Sequence, residues 1–175
     1  MTRIPPKKIV HTLFLTWLLN EDADKFLRDI INLSENPEIY THDSIIMGYE
    51  NLALLNFDFL EPSILLRYTM TGLTFEHDHQ LERITPSQCI LYDLGNYTDE
   101  MDIPDNYIEE TILKTEQLNL PMIYFVYGTK DIQLDLLRSK VQVATPENLM
   151  IYDRSEPESL KEILRRLVEL TTEQT

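Results

Sequence analysis

The chain has 175 residues, 43% of them apolar, enough to bury a core within one domain and too many for a disordered or fibrous chain. Thirty acidic residues against 15 basic ones leave a net charge of −15, a sign that opposes nucleic acid and anionic lipid surfaces. The single cysteine, Cys89, has no internal disulfide partner and fits a reducing, cytoplasmic setting.

In chain order, Met1 to Lys8 is basic but lacks an apolar segment ending at a small-residue cleavage site, so no signal peptide is expected. Residues 10–18 form a continuous apolar run, broken only by His11, Thr12 and Thr16. It is too short and too polar for a membrane span and suits a central parallel strand. No membrane insertion is expected. Residues 22–34 have apolar residues at helical spacing (Ala23, Phe26, Leu27, Ile30, Ile31, Leu33) and end at Ser34-Glu35-Asn36-Pro37. Residues 35–51 are polar and read as an irregular excursion. Residues 53–59 and 64–70 read as an antiparallel hairpin joined by Leu60-Glu61-Pro62-Ser63.

Residues 72–82 read as loop or weak helix, 89–94 as a buried strand and 95–104 as a loop. A helix is predicted over 105–118, a strand over 121–127, a short helix over 132–139 and a last strand over 148–152. Residues 155–169 give the clearest helix. Ser155-Glu156-Pro157-Glu158 has the spacing of a capping box, followed by Leu160, Ile163, Leu164, Leu167 and Val168 on one face. Buried strands alternating with helices predict an α/β fold. It would be a three-layer, doubly wound mixed sheet of about six strands with one antiparallel edge hairpin, built as a single domain over 1–175.

The chemistry-bearing stretches fall at the strand ends. A phosphate-binding loop reads G-x-x-x-x-G-K-S/T. Its glycines let backbone amides converge on phosphate, its lysine reaches the terminal phosphates and its hydroxyl holds magnesium. After the first strand this chain has Leu19-Asn20-Glu21-Asp22-Ala23-Asp24-Lys25-Phe26, with Leu19 and Asp24 at the glycines, Lys25 at the lysine and Phe26 at the hydroxyl. A D-x-x-G motif after the third strand becomes Thr69-Met70-Thr71-Gly72, which keeps Gly72 and puts Thr69 at the aspartate. A guanine-reading N/T-K-x-D becomes Thr129-Lys130-Asp131-Ile132, with the carboxylate one position early.

This element order, with the hairpin second and third, resembles the Ras-like small GTPases and their P-loop topology. Residues 148–169 and 121–131 look like the last strand and helix, and the guanine-recognition strand and loop, of the bacterial Mgl-type and conservon-type GTPases. The resemblance implies vestigial sites: Leu19, Asp24, Lys25 and Phe26 for phosphate, Thr69 and Gly72 for the switch, Thr129, Lys130 and Asp131 for the base. With all three motifs degenerate, it implies a pseudo-GTPase. Such a chain would be a non-catalytic, cytoplasmic protein-interaction adaptor with no cofactor, acting in bacterial signalling, polarity or motility. Its partner would be a roadblock-type protein or a true GTPase sibling, met through fixed switch-equivalent surfaces at about residues 35–52 and 72–85.

Other readings rank below this one. A divergent nucleotide-binding sensor or enzyme would use Lys25, Lys130 and Asp131 in a non-standard geometry. A flavodoxin- or receiver-like domain would draw its acidic cluster from Glu21 and Asp22, but its third strand ends at Thr69 and not at an aspartate. His77 and His79, within Glu76-His77-Asp78-His79, form a metal candidate that lacks a third ligand at a familiar spacing. Asp93 stands where open α/β sheets bind ligands, with a turn at Gly95 as the simpler reading. Cys89 reads as a buried small hydrophobe. The loop 96–105 reads as solvated, with Tyr97, Met101 and Ile103 suited to protein contact.

Overall fold

A computed structural model describes residues 8–16, 21–44, 48–69, 88–96, 120–128 and 146–173. The strands are β1 (Ile9–Thr16), β2 (Glu35–Ser44), β3 (Gly48–Asn56), β4 (Ser63–Thr69), β5 (Cys89–Asn96), β6 (Met122–Tyr127) and β7 (Leu149–Tyr152). The helices are α1 (Glu21–Leu33) and α2 (Pro157–Glu173), with a 3₁₀ turn at Pro146–Asn148 before β7. The expected helices over 105–118 and 132–139 and the segment 72–82 lie outside the described residues.

All seven strands form one mixed sheet in the order β2-β3-β4-β1-β5-β6-β7. β2, β3 and β4 pair antiparallel, and β4-β1, β1-β5, β5-β6 and β6-β7 pair parallel. This is neither the strand order nor the all-parallel pairing of a flavodoxin-like sheet. The apolar run that predicted a central strand is central: Val10 pairs with Ile64 on one side and Thr12 with Cys89 on the other.

α1 and α2 share one hydrophobic cluster with the sheet. Phe26, Leu27 and Ile30 of α1 and Leu160, Ile163, Leu164 and Leu167 of α2 meet alternate strand residues, among them Phe14, Leu66, Leu91 and Phe125. Ile90, Tyr92, Tyr124 and Val126 alternate away from that cluster and are equally buried, so the centre of the sheet is covered on both faces.

The structure corrects three expectations. The excursion 35–51 holds β2 and the start of β3, which raises the sheet from about six strands to seven. An edge strand is held by backbone bonds to one neighbour and needs no buried face, so residues 35–40 are all exposed and show no apolar alternation. The hairpin of 53–59 with 64–70 is real as β3 and β4, but β3 ends at Asn56. The Ser34 hydroxyl accepts from the Asn56 N–H (2.9 Å) and donates to its carbonyl (3.1 Å), while Ser63 Oγ donates to the Asn56 side chain (2.6 Å), so the chain turns there.

The capping box does not form. Pro157 opens α2, and Glu158 pairs with Arg165 (2.6 Å) instead of reaching back. Asp153 instead orders the turn that leads into α2. Its carboxylate accepts from the Ser155 N–H (2.9 Å) and hydroxyl (2.6 Å), and its own N–H donates to Ser159 Oγ (3.0 Å).

Candidate functional site

Of the chemistry-bearing positions that are described, Thr69 and Asp93 lie toward the C-terminal ends of β4 and β5, the side on which open α/β sheets take ligands. β1 ends at Thr16 and α1 begins at Glu21. Asp24, Lys25 and Phe26 therefore lie in the first two turns of α1, and the Lys25 amide belongs to the helical ladder. Lys25 is exposed on the helix surface.

Phe26, which the sequence resemblance sets at the position of a magnesium hydroxyl, is completely buried. Its ring lies 4.4 Å from Phe125, stacks on Phe14 at 5.5 Å with planes 11° apart, and meets Tyr152 edge-on at 5.3 Å. Tyr127 continues the cluster, 5.7 Å from both Phe125 and Tyr152. Offset and edge contacts of this kind add to the area the rings bury.

Asp93 is the second feature. β5 runs on to Asn96, so Asp93 is a strand residue and not part of a turn at Gly95. It stands in register beside Thr16, the last residue of β1, and is fully buried. Tyr127 donates its phenol proton to Asp93 Oδ2 at 3.0 Å. A buried carboxylate needs such donors, because an unpartnered one is expensive to remove from water.

A cleft of about 330 Å³ opens between Asn32 and Leu33 of α1 and Pro157 and Leu160 of α2. Three side chains tie its walls together. Asp29 of α1 accepts from Tyr152 Oη and from Arg154 Nε (2.9 Å) and NH2 (3.1 Å). Burial, and then the Asp29 carboxylate, push the Tyr152 phenol well above its usual range. The same carboxylate raises Arg154 further. A forked guanidinium on a carboxylate is a fixed geometry, so the tie orients the β7–α2 connection against α1.

Cys89 is fully buried, 3.2 Å from the Thr12 hydroxyl, and burial pushes its thiol up to about 11. It is a packed core residue, as expected. Thr69 ends β4. Leu19, Gly72, His77, His79, Thr129, Lys130, Asp131 and the loop 97–105 lie outside the described residues. Among the described residues, no three His, Cys, Asp or Glu side chains gather as metal ligands would. The structure thus brings Phe26 together with Tyr152, and Asp93 with Tyr127. The sequence offered little signal for either pairing, or for Asp29 with Arg154, since the partners come from strands and helices far apart in the chain.

No family model matches the chain, and no curated relative matches it. Among solved structures it is similar to a bacterial dynamin described under the words "An oligomerised bacterial dynamin pair provides a mechanism for the long range sensing and tethering of membranes". That likeness has a TM-score of 0.56 and 10% identity, and covers 94% of this chain but 35% of the dynamin chain. A second match, Helicobacter pylori MTAN, has 8% identity, covers 94% of this chain and all of the other, and reaches a TM-score of only 0.30. At 10% identity the dynamin likeness speaks for the fold alone: a mixed α/β domain with one seven-stranded sheet, spanning about a third of that protein's length.

Proposed function

We propose that the chain is a non-catalytic, GTPase-like adaptor: a P-loop-type domain that no longer handles phosphate and acts by binding another protein. The observation that carries this reading is Phe26. The position where a phosphate loop presents its magnesium hydroxyl holds a fully buried ring packed on Phe14, Phe125 and Tyr152. A core ring stands where a phosphate loop would have a magnesium-coordinating hydroxyl. Asp93, in register with the end of β1, supports the reading, because a carboxyl group there would repel phosphate when ionised.

A cytoplasmic setting and a role in bacterial signalling, polarity or motility follow from the sequence resemblance, as does a roadblock-type or GTPase partner. Among the described residues no helix is long and apolar enough to cross a membrane.

The test is nucleotide binding. Protein purified, denatured and analysed for released nucleotide should yield none. Its melting temperature should not move with millimolar GTP or ATP and magnesium. A micromolar ligand at millimolar concentration would stabilise the fold by about 4 kcal/mol, which a thermal shift reads easily. Co-purified GTP, or such a shift, defeats the adaptor reading.

A further inference from the structure

The outermost strand carries an inference that rests on the adaptor reading and specifies its partner. Among the described residues β2 is paired on one side only, to β3, and it is ten residues long. Its register is irregular between Glu35 and Glu38, where Asn36 takes a positive φ of 49° ahead of Pro37. From Glu38 to Ser44 it pairs with β3 without a break. That stretch has no proline and no lysine, two devices that commonly blunt a sheet edge. Residues 35–40 are all exposed. Of the three large hydrophobic side chains left exposed among the described residues, two are neighbours here: Ile39 at 50% and Tyr40 at 57%.

Consecutive strand residues face opposite ways, so the edge offers two different faces. On one, Tyr40 donates to Glu38 Oε2 at 2.8 Å, which sets an aromatic ring beside a carboxylate. That pair suits a lysine or arginine whose stem lies along the ring and whose charge meets Glu38. On the other, Ile39 suits an apolar residue. The strand holds Glu35, Glu38 and Asp43 and no lysine or arginine, within a chain of net charge −15. A second copy of β2 would bring these carboxylates against their own kind.

We propose that the edge of β2 takes an extended segment of a partner protein as an added strand, with lysine or arginine alternating with β-branched apolar residues. Main-chain bonds to the edge supply affinity, and the alternating side chains supply selection.

The probe is a fluorescent peptide of repeated Lys-Val, measured by anisotropy against the full chain, with and without magnesium GTP. Plain peptide should bind. A copy N-methylated at alternate amides keeps the charge but cannot pair, and should bind about tenfold more weakly. Glu38→Lys and Ile39→Lys should each weaken plain peptide by about tenfold. Tyr40→Ser serves as a further variant should either misfold by circular dichroism. Absence of binding, equal binding of the two peptides, or indifference to all three variants overturns the proposal. So does concentration-dependent self-association that Ile39→Lys abolishes, which would make a second copy the occupant. A melting shift with GTP strikes the adaptor reading and leaves the peptide result standing on its own.

Discussion

Phe26 bears the most meaning of any single residue. Its ring touches β1, β6 and β7 through Phe14, Phe125 and Tyr152, so it seats α1 on the sheet. Phe26→Ser would restore the hydroxyl that a phosphate loop uses. Truncating a buried aromatic costs about 3–5 kcal/mol, and a lone hydroxyl there gains no partner of the right kind. The expected outcome is that loss in urea unfolding, with no gain of a thermal shift from magnesium GTP. Cys89 gives a second prediction. Its folded thiol is pushed up to about 11, chiefly by burial, from an ordinary value near 9. The unfolded thiol ionises first, so the stability this core thiol contributes is complete below pH 9 and is lost as pH rises toward 11. A disulfide reagent should leave Cys89 untouched in the native protein at neutral pH and react fully once the protein is unfolded.

At the scale of elements, the start of α2 shows what a sequence pattern can and cannot say. Serine with glutamate three positions later has the right spacing for a capping box, yet Pro157 begins the helix and Ser155 bonds back to Asp153 in the turn before it. Asp153→Ala should cost about 1 kcal/mol in chemical denaturation, in line with a lost part-buried hydrogen bond. Glu158→Ala should leave the unfolding midpoint where it is, because that side chain is exposed and pairs only with Arg165 across the helix surface. The helix itself was plain from Leu160, Ile163, Leu164 and Leu167, since one buried stripe dictates its period. β2 was invisible for the converse reason. Its residues 35–40 face solvent on both sides, and the backbone bonds that hold it leave no trace in side-chain pattern. β1, β5 and β6 were legible because burial on both faces demands unbroken apolar runs.

At the scale of the molecule, the mixed α/β sheet and its antiparallel edge were legible, and its seventh strand was not. The candidate site was legible in part. Phe26 stood out because the resemblance sets it at a motif position, and Asp93 because it stands near a strand end, where open α/β sheets bind ligands. Their partners Tyr152 and Tyr127, and the Asp29–Arg154 tie, depend on strand register and helix placement, which local sequence does not encode. The central position of β1 bears on how the chain is made. Its neighbours arrive late: the Cys89 that pairs with Thr12 comes 77 residues further on. The β2-β3-β4 meander closes within residues 35–69 and needs nothing downstream, so during synthesis it can form while β1 still waits for its second neighbour. β1 is then the strand that joins the antiparallel meander to the parallel half of the sheet, and the long sequence separation of its contact with β5 favours slow folding.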